Sequence, residues 1–236
     1  MRSAKPFNDA WPEIELECLP NRDSLKYESI YGIDKAETLF RGTLRFGGFC
    51  DLMSVFQKMG LFEASPTGGT TWESAIAALR GKSNLDDFLL DCADGDQAKA
   101  QNAKAALQWL EMEGSSSVAT KDSLVDSFCA VLEQHLQFGE EERDMVAMHT
   151  AIEASFEDGT KELHQSSLIA FGDASMSAMC RTVGFPAAAA ADLILSGHFK
   201  DYKGLVLPIE KNVYGPILDA VEHEGIVFEE TSEVRL

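Results

Sequence analysis

At 236 residues the chain holds one large domain or two small ones, and a chain of that length buries roughly 70 per cent or more of its unfolded surface. Only 20 Lys and Arg stand against 39 Asp and Glu, a formal charge of -19, which excludes nucleic acid and anionic membrane surfaces as partners because both demand a basic footprint. Any anionic ligand has to be met locally, by clustered arginines.

Cysteine usage points the same way as charge. Cys18, Cys50, Cys92, Cys129 and Cys180 are odd in number, scattered and without a CxxC pair. They read as buried thiols in a reducing compartment, not as a disulfide frame or a zinc site. No apolar run of about 18 residues is free of polar breaks, and no charged-then-apolar leader opens the chain, so a soluble intracellular protein is expected.

In chain order, residues 1–12 read as interior sequence, as in a piece of a longer polypeptide. Glu13, Glu15 and Glu17 then alternate with Ile14, Leu16 and Cys18, the period of a half-buried strand over 14–18. Pro20-Asn21-Arg22-Asp23-Ser24 closes it with turn residues, and 24–31 predicts a short helix ended by Gly32. Residues 38–46 alternate again, with Leu39, Arg41, Thr43 and Arg45 on one face and Phe40, Gly42, Leu44 and Phe46 on the other. Two interpretations of the first face stay open: an edge strand whose arginines pair with the neighbouring glutamates, or a carboxylate-binding face.

From 50 to 139 the period becomes helical. Leu52, Val55, Phe56 and Met59 form a stripe stopped by Gly60, and Thr70-Thr71-Trp72-Glu73 is a capping signal before 75–79 and Gly81. Asn84 or Asp86 opens a third helix, Asp96 an alanine-rich fourth running to Gly114, and Asp122 or Ser123 a fifth through Leu124, Phe128, Val131, Leu132 and Leu136. With no strand among them, these predict an all-helical insertion whose stripes are core.

Period two returns at 145–156 and 161–171, joined by Glu157-Asp158-Gly159-Thr160, a strong hairpin signal. This hairpin at 140–175 is expected to complete one mixed sheet with the strands of 1–49. His149 and His164 have no second ligand at metal spacing and read as strand residues. Residues 176–183 predict a helix broken at Gly184, with Pro186 starting another through 195. A short strand at 204–207, a helix begun by Pro216 and a strand at 226–229 finish the chain. No glycine-rich phosphate turn, HExxH or GxSxG motif is present.

Several segments nonetheless carry a family likeness. LPNRDSLKYESIYGI at 19–33, ETLFRGTLRFGGF at 37–49, DMVAMHTAIEASFEDGTKELHQSSLIAFG at 144–172 and MSAMCRTVGFPAAAAADLILSG at 176–197 resemble, in order and spacing, the glutamate-forming saccharopine dehydrogenases. The resemblance extends to the carboxyl-terminal part of the bifunctional aminoadipic semialdehyde synthases, most of all the plant-like forms, and is loose only over 63–139. It implies an α/β (α+β) substrate-binding domain with a mixed sheet and a helical insertion, and a Rossmann domain for NAD or NADP outside this chain. Residues 176–236 are then expected to pack toward that missing domain, which acts in cis or trans.

The activity implied is oxidation of the secondary amine of saccharopine by hydride transfer to the nicotinamide, then hydrolysis of the imine to glutamate and aminoadipic semialdehyde, a step of lysine metabolism. Asn21, Arg22, Asp23, Arg41 and Arg45 match the family's motif positions and are the substrate-binding candidates. Three carboxylates on saccharopine suit several planar guanidinium forks. No catalytic base is named. A homodimer in the cytoplasm is also implied, or in the mitochondrion if a targeting peptide has been removed. The alternative is a stand-alone, non-catalytic module serving dimerisation or regulation.

Overall fold

A computed structural model describes residues 4–21, 23–118 and 123–235. The chain divides into two compact units, Met1–Ser24 with Leu39–Gln137, and Leu25–Thr38 with Phe138–Leu236.

The first unit opens with an antiparallel sheet of β1 (Lys5–Phe7), β2 (Leu16–Pro20) and β3 (Gly42–Phe46), in that order. Each strand is shorter or later than its alternation suggests: β2 begins at Leu16 and runs through Pro20, and 38–41 precede β3. Pro20 fits because it ends the strand, where a missing N–H costs no ladder bond. The register sets Leu16, Cys18 and Pro20 against Phe46, Leu44 and Gly42, with Glu17 opposite Arg45. Gly42 lacks a side chain for a steric reason, since a Cβ there collides with Cys18 Sγ and the Phe40 ring.

Five helices follow with no named strand between them: α2 (Phe49–Met59), α3 (Trp72–Arg80), α4 (Leu85–Cys92), α5 (Gln97–Trp109) and α6 (Leu124–His135). Their caps come from the residues that signal them. Thr71 and Ser74 form a reciprocal capping box, Asn84 accepts from Asp87 N–H, Asp96 from Ala98 and Lys99, and Ser123 from Asp126. Asp122 lies outside the described residues. The apolar stripes converge on one core holding Phe56, Trp72, Leu89, Leu107, Met112, Leu124 and Phe128, with Phe56 and Phe128 edge to face at 5.5 Å.

The second unit contains α1 (Tyr27–Tyr31), closed by left-handed Gly32, and a second antiparallel sheet of β4 (Met145–Ser155), β5 (Lys161–Phe171) and β6 (Glu229–Arg235). The Asp-Gly turn forms as expected, with Gly159 at φ 87° and Asp158 Oδ1 accepting from Thr160 N–H at 2.9 Å. The single mixed sheet does not form among the described residues: the hairpin pairs with β6, β1–β3 make a sheet of their own, and every pairing is antiparallel. β6 is the reason. It is fully exposed and charged, so hydrophobic alternation misses it and selects 226–229 instead, where Ile226 and Phe228 leave the ladder to pack on Leu168 and Val221. What pairs β6 is polar: Ser232 Oγ lies 2.8 Å from His164 Nδ1, and Arg235 reaches Glu153 at 3.6 Å.

α7 (Ala178–Leu195) is one helix, not two, and holds Gly184 and Pro186 in its interior. Helix formers on both sides carry it past the one hydrogen bond that Pro186 removes. α8 (Lys211–His223) likewise starts a turn before Pro216, because burial of Val213 holds that turn down. No strand forms at 204–207. α7 has the length and mean hydropathy, 1.3, of a membrane span, yet it packs on α8 and β4 and carries Arg181 and Asp192. All five cysteines are free; Cys50 and Cys92 are buried, Cys18 half-buried, and Cys129 and Cys180 exposed, so burial holds for only part of the set.

A candidate carboxylate-binding face

Strand alternation and register together put Glu17 and Leu19 of β2 on the same face of the first sheet as Thr43 and Arg45 of β3. Asn21 N–H donates to Arg41 C=O at 2.9 Å, extending the ladder by one step, so Asn21 and Arg41 continue that face. Arg41 and Arg45 are both exposed, four residues and therefore roughly 13 Å apart along the strand direction. Asp23 is exposed beyond Asn21, and Ser24 Oγ bridges to Leu39 C=O at 3.0 Å, which ties the turn to the approach to β3. Asn21, Asp23 and Arg41 are thus brought to one end of the sheet and Arg45 to the other end of the same face; Arg22 lies outside the described residues.

Glu17 does not make the cross-strand ion pair with Arg45 that alternation suggests. Glu17 stands directly opposite Arg45, but its Oε1 accepts from Cys50 N–H at 2.6 Å, in the first turn of α2. Glu13 precedes the ladder, whereas Glu15 C=O accepts from Gly47 N–H at 2.9 Å and extends it by one step, its side chain lying over Gly47. Arg45 donates from Nη1 to Leu44 C=O at 3.1 Å, and its Cζ sits 5.5 Å from the centroid of the Phe49 ring. The Cys50 thiol is pushed up to about 11 by burial first, then by its hydrogen bond and proximity to Glu17, so it stays protonated and is no nucleophile at neutral pH.

The second unit has a matching junction. β5 leads through Gly172 and Asp173 into α7, whose first N–H groups, of Ala178 and Met179, donate to Asp144 Oδ1 and Oδ2 at 2.7 and 2.8 Å. Asp173 accepts from Ser175 and Met176 and pairs with Arg181 at 2.6 Å. These hydrogen bonds hold both carboxyls below the usual aspartate range. The sequence offers no signal for Asp144, which sits 34 residues from its helix; Phe49 and the capping role of Glu17 are equally invisible until the strand register is known.

A dinucleotide does not fit the described residues. It needs a parallel βαβ unit with a glycine-rich turn and a free helix N-terminus. Both glycine-bearing strand-to-helix junctions here lie in antiparallel sheets, and each helix start already holds a carboxylate, Glu17 at α2 and Asp144 at α7. Nor does any group of three metal-ligating side chains occur among the described residues.

Residues 1–226 match the family model described as "Saccharopine dehydrogenase C-terminal domain". The chain belongs to that family. It is 37% identical to mouse mitochondrial alpha-aminoadipic semialdehyde synthase, over 100% of this chain and 26% of the relative. To the Arabidopsis thaliana synthase identity is 32%, so the plant-like leaning expected from the motifs does not hold. The Saccharomyces cerevisiae saccharopine dehydrogenase [NADP(+), L-glutamate-forming] is 30% identical over 98% of this chain and 54% of its own length. A solved structure of the apo yeast enzyme superposes with a TM-score of 0.88, at 29% identity, over 98% of this chain and 54% of that one. The chain therefore spans about a quarter of the synthases and about half of the yeast dehydrogenase.

Proposed function

We propose that this chain is the substrate-binding and dimerising region of a saccharopine dehydrogenase that cleaves saccharopine oxidatively to glutamate and aminoadipic semialdehyde. The observation that carries this reading is the Arg41–Thr43–Arg45 face: two exposed arginines on a sheet of a strongly acidic protein, with the glutamate opposite Arg45 hydrogen-bonded to the start of a helix. Guanidiniums so spaced can each take a carboxylate of one extended tricarboxylate by paired N–H donors, with Asn21 beside Arg41 as a neutral donor and acceptor. Their work is binding and orientation. A nicotinamide cofactor supplies the oxidising chemistry of such an enzyme, NADP by analogy with the yeast relative, and its site is proposed to lie in a Rossmann domain beyond this chain, in cis or in trans. The compartment proposed is reducing: the cytoplasm, or the mitochondrion that the mouse relative's name records.

Replacing Arg41 or Arg45 by alanine in the complete enzyme is expected to weaken saccharopine capture by about 1.5 to 3 kcal/mol, read as kcat/KM, with thermal stability nearly unchanged. Loss confined to melting temperature, under about 1 kcal/mol and with unaltered kinetics, assigns the arginine to the sheet alone.

A further inference from the structure

The way Arg45 is held goes beyond membership of a binding face. Its direct cross-strand partner, Glu17, has its carboxylate on Cys50 N–H, so the nearest acid is engaged by a helix and not by the guanidinium. Arg45 is fixed instead by Phe49, whose ring centroid lies 5.5 Å from Cζ, and by one hydrogen bond from Nη1 to the carbonyl of Leu44. A guanidinium has five N–H donors; one ring over its face and one backbone acceptor orient it and leave an edge open toward solvent. Phe49 is itself held in place. It is the first residue of α2, entered through left-handed Gly48 and anchored by Val55, Phe56 and Met59 in the helical core. Phe49 is 41% exposed, so core burial does not account for an aromatic residue at this position.

We infer that Phe49 is a positioning residue for Arg45: it transmits the rigidity of α2 to the guanidinium, so that a substrate carboxylate meets a fork already aimed off the sheet face. The inference rests on Arg45 being a carboxylate ligand, as proposed above. Pre-orientation lowers the ordering cost of binding and leaves the reacting atoms alone, so the effect belongs in KM and not in kcat.

The experiment is a double-mutant cycle in the complete enzyme, F49L and R45A singly and together, with F49Y as the variant that keeps the ring. F49L is expected to raise KM for saccharopine about two- to fivefold with kcat unchanged, as an exposed cation–π contact implies. F49Y should restore the parental KM, and F49L should add nothing in the R45A background. If R45A leaves KM unchanged, the carboxylate reading and this inference fall together. Should R45A raise KM while F49L does not, or should F49L act equally with and without Arg45, the positioning role alone is overturned. F49M replaces F49L if the leucine variant melts early, and a fall in kcat without a change in KM also counts against the inference.

Discussion

The two units hold together by different means. In the first, helices α2–α6 share one core in which Phe56, Trp72, Leu107, Met112 and Phe128 are all but sealed from water. In the second, Leu168, Val221 and Ile226 make the core cluster, with Ala178 and Val213 buried elsewhere, while α7 leaves Met179, Val183, Ile194 and Leu195 exposed. A unit with so little buried apolar surface relies on its ladders and its polar anchors: the β4–β5–β6 pairing, the Asp144 carboxylate on α7 and the Asp173–Arg181 pair.

The largest expected effect sharpens this contrast. Phe56→Ala removes a ring that is 0% exposed and edge to face with Phe128, which costs about 3–5 kcal/mol. Leu168→Ala in the second sheet should cost about 2 kcal/mol, at the low end for leucine, because half-buried Phe185 and Phe228 can settle into the space. Urea denaturation of both variants measures the difference, and equal losses break the comparison. Next in size is Gly172→Ala. A Cβ there comes within 3.0 Å of Ala178 N and Ser177 Cα, both backbone, so the β5–α7 junction has to shift at a cost of about 1–3 kcal/mol. Hydrogen exchange should show that opening in α7 and not in α2–α6.

Local chemistry made the first unit's helices legible: Thr71, Asn84, Asp96 and Ser123 cap as their sequence context says, and each stripe of period 3.6 found the common core. The hairpin was legible through Asp158-Gly159. What sequence could not show depends on distant partners. β6 is held by cross-strand polar contacts to β4 and β5, Pro186 and Pro216 sit inside helices that neighbouring residues carry through them, and the assignment of strands to sheets is a matter of long-range pairing that alternation does not encode. At the candidate site the arginine face was readable from Arg41, Thr43 and Arg45. The diversion of Glu17 to α2 was not, because a glutamate opposite an arginine looks like an ion pair until the helix start beside it is in place.

Acid is the gentlest way to test the polar anchoring of the second unit. The Asp144 carboxyl is lowered by the N–H groups of Met179 and Ala178, and the Asp173 carboxyl by Ser175 and Met176 with a further hydrogen bond from Arg181. A group whose folded pKa is depressed stabilises the fold fully above its unfolded value, about 3.9 for aspartate, and loses that contribution as pH falls through the folded value. Both anchors therefore act in full above about pH 4, and each fades below it as pH falls through its own lowered value, Asp173, the more strongly lowered, holding longer. The junction of β5 with α7 is expected to loosen first in that window, ahead of α2–α6, whose core is apolar and indifferent to protonation. Amide exchange of Ala178 and Met179 followed downward from pH 5 is the direct measure, with Asp144→Asn, which cannot titrate and keeps one of the two acceptor oxygens, as the control. If wild type and control lose protection at the same pH, the carboxylate is not what pins α7, and the second unit's stability must come from its ladders alone.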